Sequence, residues 1–423
     1  MAKVRRVVCT GLGVVSCYGI GVEKFWRGLC SNQSGQAPIG IFDATLYRSN
    51  LAAEVPQEVR DNKDLFDLAG RPDEDATLLA AIAAHEAFTD AGLQDAAKND
   101  FGCVVGTLCS SSRLFERYGR QFAAVGTDST LYPDVDACTV SYQLEHLVRH
   151  FQIEGPSTLV STACSSSTDA IGYAADFICS GDADVMLAGG GDILCEMVHA
   201  GFNSVFSIAT NNSKPFDTQR NGFFIGEGAG MLVLEELEHA LARGARIYAE
   251  VLGYGLSNTA YHLTATSEDG IGEALAIERC LTDAGVGAAD VQYVNAHGTG
   301  TQHNDVTEAK ALTRVFGESL RNMAVTSIKA NIGHCMGASG AMEAIATIKC
   351  IADRFIPPTL NSTGDLDPAV PLVVKHGLER VTRHALSQSF GFGGASSAVL
   401  FGVGDTSALP PQQETIQEKA KLP

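Results

Sequence analysis

Long apolar runs are missing from this chain: nowhere do the roughly 18 uninterrupted apolar residues of a membrane-spanning helix occur. The start, MAKVRRVVCTGLGVVS, is basic and then apolar, like a signal peptide. It has no small-residue cleavage site, and Gly11 and Gly13 interrupt the apolar run, so a first buried strand and turn is the expectation. The 12 cysteines are scattered with no C-x-x-C pair, which excludes a zinc ribbon and a redox dithiol. With no secretory context, a reduced cytoplasmic setting is expected. A long basic run is also absent, and 30 Lys and Arg against 49 Asp and Glu leave a net charge of −19. Phosphate binding needs clustered Lys and Arg, so neither nucleic acid nor an anionic membrane is an expected partner. The best local basic patch is SSRLFERYGR, with Arg113, Arg117 and Arg120, where an acidic partner would dock; a solvated helix face is the alternative.

What is present is bulk and internal repetition. The 423 residues are 45% hydrophobic and 19% charged, with 44 glycines, the balance of a packed globular protein of two or three domain-sized units with many tight turns. The segment FTDAGLQDAAKNDFGCVVGT (88–107) resembles LTDAGVGAADVQYVNAHGT (281–299). Each ends a helix at a glycine, Gly92 or Gly285, crosses a short loop and runs an apolar strand into a Gly-Thr turn. VRRVVCTGLGVVS (4–16) resembles ARIYAEVLGYGLS (245–257), and STACSSSTDAIGYAADFICSG (161–181) resembles GHCMGASGAMEAIATIKCIAD (333–353). Three matches in one order predict a duplicated α/β architecture with sheets covered by helices on both faces. In this reading Cys164 and His334 occupy corresponding places, each at the start of a helix, and the two starts can face one another across a shared site.

Cys164 precedes SSSTDAIGYAADFI, in which Ile171, Ala174, Ala175 and Ile178 keep helical spacing. A helix N-terminus draws a thiol toward thiolate, and Ser165, Ser166 and Ser167 can cap the first turn. Alone, these features leave a buried structural cysteine as the plainer reading. Two histidine stretches supply company. NAHGTGT sets His297 at the end of an apolar strand, where α/β sheets put reactive groups. SIKANIGHCMGASG sets Lys329 five residues before His334, between an apolar run and a helix. Other chemistries fit less well. TGLGVVS (10–16) has two glycines of a dinucleotide fingerprint, but Ser16 holds the third place. His297, His303 and Asp305 lack helical spacing and a third ligand on the same element, so no metal is expected.

The stretches STACSSSTDAIGYA, KPFDTQRNGFFIGEGAGMLVLE, NAHGTGTQHND, SIKANIGHCMGASG and SFGFGGASSAVL, in this order over roughly residues 4–403, closely resemble the β-ketoacyl synthases of the thiolase superfamily. The likeness is to their elongating branch, shared by fatty-acid and type II polyketide synthases. The resemblance implies a duplicated thiolase-like α/β fold in five layers, α-β-α-β-α. It implies an N-terminal half over 1–250 with the nucleophile and a C-terminal half over 251–405 with both histidines; the polar, Pro-containing composition of the remainder predicts a mobile tail over 406–423. By motif position, Cys164 matches the acyl-accepting nucleophile, and His297 and His334 match the pair that holds the extender thioester carbonyl. Lys329 matches the KxNxGH lysine, and Glu308 the acidic residue eleven positions past the first histidine. Phe392 matches a gate whose backbone N–H joins that of Cys164 in an oxyanion hole, and Phe202 a residue near the acyl channel. No cofactor of its own is implied, because substrates arrive on the phosphopantetheine of an acyl carrier protein. Two histidines suit decarboxylative condensation, in contrast to the thiolase or initiating-synthase sets.

Departures from the family's common patterns bear on substrate and docking. Ala395 and Ser396 stand where GFGGTN is usual, Thr259 stands where Asp often precedes AYH, and Leu108 and Cys109 fall at an expected channel-lining position. Phe206 stands where fatty-acid enzymes often place an arginine for the carrier protein. These differences point to the catalytic subunit of a type II polyketide synthase, paired with a homologous chain-length subunit. The alternatives are a homodimeric fatty-acid enzyme and, more remotely, the non-catalytic chain-length partner itself.

Overall fold

The computed structural model of the protein describes residues 5–68, 75–126, 135–366, 368 and 370–403. The tail expected over 406–423 lies outside the described residues. Five strands of the first half are β1 (Val7–Ser16), β2 (Phe101–Gly106), β3 (Ser157–Val160), β4 (Val185–Asp192) and β5 (Gly228–Glu236). Five of the second are β6 (Ala249–Asn258), β7 (Tyr293–Asn295), β8 (Ala324–Thr326), β9 (His384–Phe390) and β10 (Ala395–Gly402). They lie in the order β8-β7-β9-β10-β6-β1-β5-β4-β2-β3, with a short strand, Gly19–Ile20, paired to the end of β1. Outward from the β6–β1 centre, the two sides carry the same sequence of neighbours. β2 is parallel to β3 and β4, with β4, β5 and β1 antiparallel in turn; β7 is parallel to β8 and β9, with β9, β10 and β6 antiparallel in turn. At the centre Val8 pairs with Glu250, flanked by Val7 with Val251 and Cys9 with Ala249. Strand β6 begins at Ala249 and so spans the boundary expected at 250/251.

Six helices cover these sheets and frame the site: α1 (Asp75–Asp90), α2 (Ser112–Val125), α3 (Ser166–Ser180), α4 (Ile271–Ala284), α5 (Asn304–Phe316) and α6 (Ser339–Asp353). The ten strands form one continuous sheet whose two halves make the two strand layers; helix α1 covers one face of the first half and α4 one face of the second, while α3 and α6 lie side by side between the halves. This is the five-layered α-β-α-β-α arrangement. Strands covered on both faces should read as continuous apolar runs whose alternate residues feed different cores. So it is in β5, where Met231 and Val233 join the core under α1, and Leu232 and Leu234 the central core with α3 and α6. In β10, Val399 and Phe401 face the central core, and Ala398 and Leu400 the core under α4. Helix α6, enclosed by two strand layers, is buried on every side from Ser339 to Ile351, so it has no polar face to reveal its orientation.

The Gly-x-Gly of each first strand is a packing device. A β-carbon on Gly11 or Gly13 would sit 2.2 or 1.9 Å from the carbonyl oxygens of Ala87 and Ala83 in α1. On Gly255 it would sit 2.2 Å from the Ala276 carbonyl of α4. Both strands also slip register by one residue at the same place, between Cys9 and Gly11 and between Val251 and Gly253. That matches Gly11 with Gly253, one position off the ungapped alignment of the two segments. Among the described residues no helix is long and apolar enough to cross a membrane.

Replacing Gly13 by Ala should therefore destabilise the fold by about 3 kcal/mol, because the clash is with helix backbone that cannot rotate away. Gly119 of α2 is exposed, with nothing within 4 Å of its would-be β-carbon, and Gly119→Ala should be stabilising by about 0.5–1 kcal/mol. Urea unfolding midpoints of the two variants measured side by side test this contrast.

Candidate functional site

The chain leaves β3 and enters α3 through one turn of 3₁₀ helix, Ala163–Ser165. Ala163 adopts φ 57°, a left-handed conformation that costs a non-glycine residue of order 1 kcal/mol. The second half repeats the device: Met336, φ 49°, opens the turn Met336–Ala338 ahead of α6. Superposing the two turns makes Gly337 the counterpart of Cys164, and Ser161 that of His334. Cys164 and His334 thus lie near paired helix starts but not at equivalent positions, a correction to the sequence reading.

Cys164 is 5% exposed. Burial pushes its thiol up to about 11, although the Lys329 charge and the Phe392 backbone N–H pull the other way. Desolvation therefore outweighs the Lys329 charge and the Phe392 amide, which favours the neutral thiol.

His297 follows β7 and His334 precedes α6; their ring centroids are 5.4 Å apart at 83°. Lys329 Nζ lies 3.2 Å from His297 Nδ1, donates to the His297 carbonyl at 2.7 Å, and pairs with Glu343 of α6. An ammonium only donates, so Nδ1 of His297 accepts and the proton of the neutral ring sits on Nε2. His334 Nδ1 lies 2.9 Å from Ser339 Oγ, and donation by that hydroxyl leaves its ring proton on Nε2 as well. Burial and then the Lys329 charge hold both imidazoles well below the usual histidine range, which keeps them neutral. Glu308 of α5 does not line the site. Its carboxylate accepts the backbone N–H groups of His297 and Gly298 at 2.7 and 2.8 Å and the Gln388 amide at 2.6 Å. It fixes the loop that carries His297.

Cys164, His297, His334, Phe202 and Phe392 line one cavity of about 380 Å³. Phe392, 36% exposed, stands at its edge with its ring centroid 5.4 Å from that of Phe202. Leu108 and Cys109 are not in this lining. They pack with Phe202, Phe223 and Met336 in an apolar cluster behind it. Phe206 lines the mouth, 71% exposed, with the Arg48 guanidinium 4.7 Å over its ring. The basic trio does not form a surface patch. Arg113 turns inward to Asp75, Glu227 and the Leu194 carbonyl, and Arg120 pairs with Glu196. His303 binds the Thr266 carbonyl at 2.8 Å, while Asp305 accepts the Phe216 and Gly300 amides.

Sequence reasoning passed over three residues that shape the site. Glu343 neutralises Lys329, and as the one carboxylate in the apolar stretch GASGAMEAIATIKC it was a legible anomaly. Ser339 orients His334. Asp192, at the end of β4, gathers the Thr107 hydroxyl and the Leu108, Cys109 and Gly337 amides, tying the two halves together. Only its partners, far away in sequence, mark it.

Residues 4–240 match the family described as beta-ketoacyl synthase, N-terminal domain, and residues 248–363 its C-terminal domain. The 3-oxoacyl-[acyl-carrier-protein] synthase 2 of Vibrio cholerae serotype O1 is 37% identical over 414 residues, 94% of this chain and 99% of that one. The solved ishigamide ketosynthase/chain length factor superposes with a TM-score of 0.87 at 37% identity, over 94% of this chain and 99% of that one. A type II polyketide synthase acyl-carrier protein in complex with its ketosynthase bound to the hexaketide gives 0.88 at 30% identity, over 95% and 100%. With both domains matched and a cysteine and two histidines around one cavity, the chain belongs to the beta-ketoacyl synthase family of acyltransferases.

Proposed function

We propose that this chain is the catalytic ketosynthase subunit of a type II polyketide synthase, with Cys164 as acyl acceptor and His297 and His334 as the pair that activates a malonyl extender. The observation that carries the reaction is the convergence of one thiol and two neutral imidazoles on a single cavity. Cys164 attacks the thioester of an acyl group on a carrier protein; the S–acyl bond moves to Cys164 and the carrier leaves as its thiol. The tetrahedral oxyanion is met by the N–H groups of Phe392 and Cys164, and losing one such donor costs about 10²–10³ in rate. A malonyl thioester then loses CO₂, leaving its electron pair on the α-carbon as an enolate whose oxygen the two Nε2–H groups stabilise. That carbon attacks the acyl-Cys164 carbonyl, the C–S bond breaks, the thiolate regains a proton, and a β-ketoacyl thioester departs on the carrier. Burial and then the Lys329 charge keep the imidazoles neutral, and Glu308 holds the His297 loop.

Identity does not choose between this subunit and a homodimeric fatty-acid-elongating synthase, since the Vibrio cholerae enzyme and the putative polyketide beta-ketoacyl synthase 1 of Streptomyces halstedii are equally similar at 37%. What favours the polyketide reading is the mouth, where Phe206 with Arg48 over its ring replaces the usual arginine, and the Leu108–Cys109 cluster behind Phe202. Its homologous partner has a surface to cover: Phe115, Phe122 and Val125 of α2, with Val135 and Val140, are between 48% and 61% exposed.

Intact-mass measurement after incubation with an acyl-carrier thioester should show one acyl group on the wild type and none on Cys164→Ala; normal condensation by the variant would falsify the mechanism. Because Cys164 sits near 11, its thiolate fraction grows about tenfold per pH unit below that value. Iodoacetamide modification of Cys164, followed by peptide mass spectrometry, should climb in that proportion between about pH 7 and pH 9; a plateau below pH 8 would reveal a thiol already ionised. Co-expressed with a homologue lacking the cysteine, the protein should elute as a one-to-one complex, and Phe122→Glu should shift it to free chains on size exclusion.

A further inference from the structure

The strained turn around Cys164 has its own restraint, built on a residue outside the cavity. Asp169, in the first turn of α3, is 4% exposed. Its Oδ2 accepts the Thr162 hydroxyl. Its Oδ1 accepts the Tyr254 phenol at 2.7 Å and the Ser397 hydroxyl. Thr162 is the residue before Ala163, while Tyr254 and Ser397 belong to β6 and β10 of the second half. Ser165 closes the turn by donating to the Thr162 carbonyl at 2.7 Å, and the Thr162 N–H donates to Ser166 Oγ at 3.0 Å. Residues on both sides of Cys164 are thus held through Thr162 to one carboxylate, itself held by two hydroxyls from the opposite half. A carboxylate is suited to this, because it offers acceptors only and three hydroxyl donors converge on it.

We infer that Asp169 is a positioning residue: it clamps the Thr162–Ser165 turn to the second half, and so holds the Cys164 sulfur against the Phe392 amide. The inference rests on reading Cys164 as the acyl acceptor. Its consequence is selective. Acyl transfer requires the sulfur and the two amide donors in register, and a displacement of about 1 Å can cost of order 10²-fold. Decarboxylation of the extender relies on His297 and His334, which are held by Lys329, Glu308 and Ser339, and none of these groups touches Asp169. A residue that only anchored α3 in the fold would lower both half-reactions together.

The test uses the full chain with two thioester probes, octanoyl-N-acetylcysteamine for acylation of Cys164 and malonyl-N-acetylcysteamine for decarboxylation. Asp169→Asn should slow acylation about 10- to 100-fold and leave decarboxylation within about twofold of wild type. Thr162→Val, which removes one donor without changing shape, should slow acylation in the same direction, and the double variant should be no slower than Asp169→Asn alone, since Thr162 acts through Asp169. Acylation by Asp169→Asn at the wild-type rate, or equal losses in both half-reactions, overturns the clamp. Should Asp169→Asn not fold, Thr162→Val decides the question by the same split. A wild type that neither acylates nor decarboxylates overturns the reading of the site itself, and the clamp with it.

Discussion

The site exists because the starts of α3 and α6 touch with nothing between them. The Ala341 amide donates to Ser167 Oγ at 2.8 Å, and a β-carbon on Gly340 would lie 2.0 Å from Thr168 Oγ1 and 2.7 Å from the Thr168 nitrogen. No larger residue fits at 340 without driving the helices apart. Each helix is entered through a left-handed turn, so their contact brings the turn with Cys164 beside the loop with His334. The end of β7 then supplies His297 from the sheet behind. Sheet pairing sets up this meeting: the two halves join about the Val8–Glu250 pair, which places the two central helices against each other.

Charge inside this contact is sparse and paired. Lys329, fully buried, is neutralised by Glu343 and points its remaining donors at His297. Breaking a buried pair strands an uncompensated charge, which makes such pairs costly to disturb. The same desolvation that raises Glu308 and Glu343 to about 7 keeps both imidazoles neutral and the thiol protonated. The cavity is therefore poised to meet negative charge with N–H donors, and holds little charge of its own.

Much of this was legible locally. The repeated helix-Gly-strand units correspond to α1–β2 and α4–β7, and their glycine stops, Gly92 and Gly285, both adopt left-handed φ of 69° and 63°. The ungapped alignments missed by one residue in two places, because a β-bulge and a turn leave no mark in composition. Cys164 and His334 read as equivalents because both stand at a helix start, but the superposed turns set them three residues apart. Arg113 read as surface because α2 is amphipathic, yet its guanidinium finds Asp75 and Glu227 from other elements. Leu108 and Cys109 were expected by position near the channel; what sequence did not show is that the Asp192 carboxylate of β4 accepts their amides and that they pack with Phe202.

The amino-acid sequence by itself determined the α/β periodicity, the duplication, and a cysteine and two histidines at strand-to-helix junctions, because these are patterns within some twenty neighbouring residues. The tertiary structure alone decided that burial pushes the thiol up, that the Lys329 ammonium faces Nδ1 of His297, and that Asp169, Asp192 and Glu343 brace the site. Protonation follows from burial and from charges brought close by folding, and those partners lie as far apart in the chain as Asp169 and Ser397. No local pattern encodes such distances; only the packing of one half against the other creates them.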